Sequence, residues 1–243
     1  MPIGVIANVL AVVIGGILGG LFGDRLSESF KKNMNMIFGA AAMTMGISSI
    51  VLMENMPAVI FSVLIGTALG LVCHLGERIN QAAAMMQKLI SRFIKAPDKG
   101  VSEADFTRQL VTVIVLFCAS GTGIYGSIVA GMNGDHSILI AKTILDVFTA
   151  MIFACTLGYV VCVIALPQLV IFMLLYLLAG VIFPLTTSVM IGDFKACGGV
   201  LLLATGFRIL NVTEFPTADM IPAMILVMPV SWLWTTFVLP LIS

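Results

Sequence analysis

Charge is what this 243-residue chain has least of. Asp, Glu, Lys and Arg together make up 10% of it, against 60% hydrophobic residues. A soluble domain carries roughly a quarter charged residues, so this chain cannot cover a water-facing surface. Its twelve basic and twelve acidic residues cancel, so no basic surface for nucleic acid is expected. The five cysteines (73, 118, 155, 162 and 197) all lie in apolar segments without metal-ligand spacing, and they read as buried free thiols. No H-E-x-x-H zinc motif and no G-x-S-x-G nucleophile elbow occurs, so a hydrolase has little support and no enzyme is expected. No Lys or Arg precedes the first apolar run, which therefore reads as a membrane span rather than a cleavable signal.

Apolar runs are what the chain has in place of charge. Stretches of about 18 or more uncharged apolar residues read as membrane helices, and the mean hydropathy is +1.15. The fold class expected is all-α, a single polytopic membrane domain over residues 1–243. Eight spans are predicted, at 2–22, 34–53, 56–73, 109–132, 138–160, 166–183, 196–212 and 220–240. The split between the fifth and sixth rests on Pro167-Gln168. One kinked segment there would make seven.

The longest polar stretch, 74–108, joins spans three and four. Ala82, Met85, Met86, Leu89, Ile90 and Phe93 follow helical spacing, with Lys88, Arg92 and Lys95 opposite. Such a basic amphipathic helix lies at a membrane surface or serves as a helical linker. Ser102 and Asp105 resemble a capping box before span four. The basic residues of the first loop and of 74–108 place both in the cytoplasm, which puts Asp135 and both termini outside. The loop 211–219 is acidic yet falls inside, flanked by Arg208.

An internal repeat is visible. "GAAAMTMGISSIVL" from Gly39 and "GVLLLATGFRILNV" from Gly199 each carry two glycines seven apart, and Pro57-Ala58 aligns with Pro222-Ala223. Gly16 matches Gly180 upstream. Residues 1–73 and 161–243 are then two repeats around a central hairpin, 109–160. Five spans separate equivalent helices, so the halves insert with opposite orientation, as in many secondary transporters.

"CASGTGIYGSIVAG", residues 118–131, contains G-x-G-x-x-G at Gly121, Gly123 and Gly126, with Asp146 twenty residues on. That is the spacing of a dinucleotide-binding turn. A chain this apolar must cross lipid as helices or a closed barrel, so no such fold, and no nucleotide cofactor, is expected. Two readings stay open for these glycines. Gly123, Ser127 and Gly131, four apart, form a small-residue packing stripe. Alternatively the helix breaks at Ala119-Ser120-Gly121-Thr122-Gly123 and offers backbone groups to a solute. In the first span, Gly15, Gly16, Gly19, Gly20 and Gly23 leave one side nearly bare backbone. That side must meet another helix closely, in the same chain or in a homodimer partner.

Intramembrane charge is functional by default. Lys142 and Asp146 lie four apart on one helix face, and a start near Ser137 puts Asp146 roughly 13 Å deep. Thr149 continues that side. The alternatives are a structural ion pair, with Lys142 snorkelling outward, and a cation or proton site at Asp146 with Lys142 as competing counter-charge. Asp135 and His136 sit at the outer mouth. Asn8 is expected to hydrogen-bond between helices, Arg208 to snorkel, and Asp193 and Lys195 to mark a span boundary.

Four segments resemble one bacterial family: "GVIANVLAVVIGGILGG", "CASGTGIYGSIVAGMNGDHSILIAKTILDVFTAMIFACTLG", "ACGGVLLLATG" and "IPAMILVMPV". The family is the domain of unknown function 554 group, the YdfK/YqgA-like proteins of the bacterial inner membrane. The resemblance implies a polytopic inner-membrane protein and assigns no role to Asp135, His136, Ser137 or Asp146. The function expected is a secondary transporter or channel for an ion or small solute, with a proton or cation as possible coupling ion. Ser120, Gly121, Thr122, Gly123, Asp146, Lys142 and Thr149 would form its site. The alternative is a non-transporting scaffold or sensor acting through the basic helix.

Overall fold

A computed structural model describes residues 1–22, 27–93, 103–210 and 212–242. Among these, all regular structure is helical. The order is α1 (Ile3–Phe22), α2 (Glu28–Ile50), α3 (Met56–Val72), α4 (Leu75–Phe93), α5 (Glu103–Cys118), α6 (Gly121–Asn133), α7 (Ser137–Leu157), α8 (Val160–Ile182), α9 (Ser188–Ile209), α10 (Ile221–Leu233) and α11 (Leu239–Ile242). A 3₁₀ turn at Phe183–Leu185 and a π segment at Trp234–Val238 complete it.

Six helical stretches are long and apolar enough to cross a membrane, or seven if the bent pair α3 and α4 is one span. Eight predicted spans exceed this number for physical reasons. The α3 helix has 17 residues, and α2 carries Asn33, Asn35, Thr44, Ser48 and Ser49 among its apolar positions. The boundary expected at Pro167 is also displaced. Pro167 lies inside the continuous α8, and the chain turns instead at Gly158, whose φ of 70° suits glycine.

The chain forms two compact units. The first comprises Met1–Asn35 and Arg78–Val181, the second Met36–Glu77 and Ile182–Ser243. In the first unit α1 packs along α7. Ile6, Leu10, Ile14 and Ile17 of α1 face outward, while Asn8, Val12, Gly15 and Gly19 are buried. A Cβ on Gly15 would strike the Val147 carbonyl, and one on Gly19 the Met151 carbonyl. Gly16 and Gly20 meet Cys162 and Tyr159. The glycine stripe is thus occupied within the chain. Gly23 lies outside the described residues.

The α4 helix is amphipathic as predicted, but its stripe is divided. Ala83 and Ile90 are buried against Leu110, Ile114 and Leu157, with Met86 half-buried beside them, whereas Met85 and Leu89 are exposed. Lys95 and the Ser102 end of the proposed capping box lie outside the described residues, as do the side chains of Arg92, Phe93 and Asp105.

In the second unit α3 packs on α10 and α9, with Gly66 against Ala223. The α2 and α9 helices cross glycine to glycine in opposite directions. A Cβ on Gly46 would lie 2.7 Å from the Gly199 carbonyl, and one on Gly199 2.6 Å from the Gly46 carbonyl. Gly39 and Gly206 meet in the same reciprocal way, at 3.1 and 2.8 Å.

Candidate functional site

The stretch 109–133 is interrupted within its apolar run. The α5 helix ends at Cys118, and Ser120 caps α6 by accepting from the Gly123 amide at 3.2 Å. The helix break expected at Ala119–Gly123 is present, and so is the close packing of the glycines. Gly123 closes on the ring of Phe172, and Gly131 on Ala179 and the Tyr176 carbonyl. Ser127 is fully buried between them, and its Oγ has no partner among the described residues.

The α7 helix starts at Ser137, as the sequence predicts, which carries Lys142 and Asp146 into the protein. Both are buried, at 4% and 5% exposure. Lys142 Nζ donates to Asp146 Oδ2 at 2.6 Å and Oδ1 at 2.9 Å. Lys142 does not snorkel; its ammonium sits 5.7 Å from the ring centroid of Phe117, in the last turn of α5. Asn8 of α1 donates through Nδ2 to Asp146 Oδ2 at 2.8 Å. Gln168 of α8 donates through Nε2 to Asn8 Oδ1 at 2.8 Å. Three helices thus contribute to one buried polar chain. The interhelical role expected of Asn8 is met.

Gln168 escaped the sequence reading. Beside Pro167 it looked like punctuation, and an uncharged polar residue is a weak signal. Its spacing from Phe172, one helical turn, was the available clue.

Other expected site residues fall elsewhere. Among the described residues no hydrogen bond joins Ser120 or Thr122 to Asp146, although Phe117 brings the break beside Lys142. The Thr149 hydroxyl donates back to the Leu145 carbonyl at 2.9 Å and takes no part in the cluster. Asp135 accepts from the Ser137 amide and hydroxyl at 3.1 and 2.6 Å, so it fixes the start of α7. His136 stacks on Tyr176, and its Nδ1 is buried with no hydrogen-bond partner among the described residues.

Asp193 is no boundary residue. It lies in the second turn of α9 and is fully buried. Its Oδ1 accepts from the Glu54 and Asn55 amides at 2.9 and 2.7 Å, and its Oδ2 from Asn55 Nδ2 and Ser231 Oγ at 3.0 and 2.6 Å. Those amides open α3, where free N–H groups need acceptors. Arg208 ends α9 and donates to Thr217 Oγ1 at 3.0 Å. Four cysteines are buried or half-buried as expected, but Cys73, capping α3, is exposed. Among the described residues no cluster of three or more His, Cys, Asp or Glu could hold a metal.

Residues 3–232 match the family described as "Protein of unknown function (DUF554)". The chain belongs to this family. It is 47% identical over 237 residues to "Uncharacterized protein YqgA" of Escherichia coli (strain K12), covering 98% of this chain and 99% of that protein. It is 27% identical over 226 residues to "Uncharacterized membrane protein YdfK" of Bacillus subtilis (strain 168), covering 92% and 93%. No solved structure matches. The family and the long apolar helices together make this a bacterial multi-pass membrane protein.

Proposed function

We propose that this protein is a secondary transporter or channel for an ion or small solute, with Asp146 as its charge-bearing group. One observation carries the reading. A carboxylate and an ammonium are buried together in an apolar span, and amides from two further helices extend the cluster. Intramembrane charge is costly and marks ion and substrate paths. The interrupted α5–α6 stretch beside Lys142 supports the same reading, because helix ends at membrane depth offer backbone dipoles to a solute.

An inverted repeat fits this function. The sequence alignment pairs Gly39 with Gly199 and Gly46 with Gly206. Exchanging these partners turns the Gly46–Gly199 contact into the Gly206–Gly39 contact, and both contacts exist. That is the relation a pseudo-twofold axis through the α2–α9 crossing requires. Eight crossings, with α2 and α3 among them, would give the halves opposite orientation. The basic residues then place 74–108 in the cytoplasm and both termini outside. A homodimer would have to use faces other than the α1 glycine stripe.

The exposed Met85 and Leu89 of α4, beside Lys88, favour the second reading, a scaffold docking through this helix. The discriminating experiment is thermal unfolding of the detergent-purified protein against monovalent and divalent cations, pH and small metabolites, with Asp146→Asn alongside. A ligand of the folded state raises stability by RT ln(1 + [L]/Kd). A shift present in the wild type and lost in Asp146→Asn supports transport. The same shift in both forms removes Asp146 from the site. A flat panel moves the balance to the scaffold.

A further inference from the structure

The polar chain running from Asp146 has a fixed direction. An ionised carboxylate only accepts, so Asn8 turns Nδ2 toward it, and Asn8 Oδ1 accepts from Gln168 Nε2. That leaves Gln168 Oε1, fully buried, at the far end. It is one of three buried side-chain atoms with no hydrogen-bond partner among the described residues. The others are Ser127 Oγ and His136 Nδ1, and all three belong to the first unit.

The three lie along one seam. Gln168, Phe172 and Tyr176 follow one another at one-turn spacing on α8. Gly123 closes on the Phe172 ring and Gly131 on the Tyr176 carbonyl, so Ser127, midway between the glycines on α6, falls between those levels. His136 stacks on Tyr176. Its Nδ1 is 3.1 Å from the point a Cβ on Gly4 would occupy, one turn of α1 from Asn8. From Tyr176 the seam runs about 12 Å along α8 to Gln168, at ~1.5 Å per residue, and there it meets Asn8 and the ion pair. Buried polar atoms without partners are costly and uncommon. A row of them ending at a charge pair suits a ligand that both donates and accepts.

Resting on the transport reading above, we propose that the solute is a small zwitterion, with an ammonium and a carboxylate a few bonds apart as in an amino acid, which inserts between Lys142 and Asp146. Charge decides the class. The buried pair sums to zero. A lone cation or anion bound there leaves a net charge buried among α1, α5, α7 and α8. An uncharged solute parts the pair and replaces neither partner. Both are strongly unfavourable. A zwitterion keeps the sum at zero and returns to each side chain a partner of opposite sign.

The exchange of hydrogen bonds balances. The solute ammonium donates to Asp146, which keeps the Asn8 bond on Oδ2. The solute carboxylate accepts from Lys142, whose ammonium has the Phe117 ring beside it as it turns. Both side chains keep their charge throughout, and no covalent bond forms or breaks. Gln168 Oε1 accepts a further donor from the solute, so the atom without a partner in the closed ion pair gains one. Ser127 and His136 offer hydrogen bonds along the seam by which the solute enters.

The test is calorimetric titration of the purified full-length protein. The ligands are glycine, β-alanine and γ-aminobutyrate, which set the two charges progressively further apart, and methylammonium and acetate, which carry one charge each. At least one zwitterion is expected to bind saturably. Methylammonium and acetate are expected to bind more weakly by about tenfold or more, since each leaves a buried charge unpaired. That comparison needs no variant. The Lys142→Met/Asp146→Leu double variant, which has no buried charge to strand, is expected to fold and to bind no zwitterion. Gln168→Met is expected to bind several-fold more weakly than the wild type. The proposal is overturned if no zwitterion binds, if methylammonium or acetate binds as tightly as the best zwitterion, or if either variant binds like the wild type. If the zwitterions fail while another solute or ion gives an Asp146-dependent stability shift, transport stands and the zwitterion assignment falls. If Asp146→Asn binds every ligand like the wild type, both fall.

Discussion

Gly46 of α2 and Gly199 of α9 touch backbone to backbone. A side chain on either would lie within 2.7 Å of the other's carbonyl oxygen. Neither helix can keep this crossing if one of the two residues gains even a methyl group. Gly46→Val is expected to lower stability by about 1–3 kcal/mol, the usual cost of forcing volume into a packed contact. Gly199→Val should do the same, and the double variant should cost less than the sum, because one displacement relieves both. Thermal unfolding in detergent checks this. Unchanged melting of either single variant would place the two helices apart.

Asp193 joins the start of α3 to α10 through four accepted hydrogen bonds. Asp193→Ala strands two backbone amides and a serine hydroxyl, and leaves the Asn55 side-chain amide with Thr235 Oγ1 alone. The expected loss is about 2 kcal/mol or more, since each bond to a buried charge contributes about 1.5–3 kcal/mol. Asp193→Asn should fall between, because its amide NH₂ cannot accept. An Asp193→Ala protein that melts like the wild type would show that these bonds carry no stability.

Lys142 and Asp146 should be strongly coupled. Removing one partner leaves a buried charge, at a typical cost of about 3–5 kcal/mol, whereas removing both can be nearly neutral. Lys142→Met and Asp146→Leu are each expected to destabilise more than the double variant. A double-mutant cycle of unfolding free energies measures the difference. Additive single effects would mean that the pair is not formed in the folded protein.

Much of this site was legible because charge is conspicuous in an apolar run. Lys142, Asp146 and Asn8 stood out, and helical spacing alone joined the first two. The glycines of α1 and the Ala119-Ser120 break were equally readable, since bare backbone and hydroxyls have few uses at membrane depth. What joins Gln168 to Asn8 was not readable, because their contact spans 160 residues. Asp193 was misplaced for a related reason. The α9 helix begins at Ser188, earlier than hydropathy suggests, so a carboxylate near a span end is a full turn inside. Its partners come from residues 54, 55 and 231, which no local pattern connects to it. The turn at Gly158 was hidden by Pro167, a stronger helix breaker in water than in a helix whose neighbours supply the packing.

The most direct test of the central claim is flux through reconstituted proteoliposomes. Wild-type and Asp146→Asn protein would be compared with an entrapped pH dye and with solid-supported membrane currents, across alkali chlorides and a panel of small solutes. Transport through Asp146 predicts flux of at least one of these in the wild type, and its loss in Asp146→Asn protein that is still folded at the assay temperature. Asp146→Asn vesicles that carry the same ion or solute at the wild-type rate would contradict it.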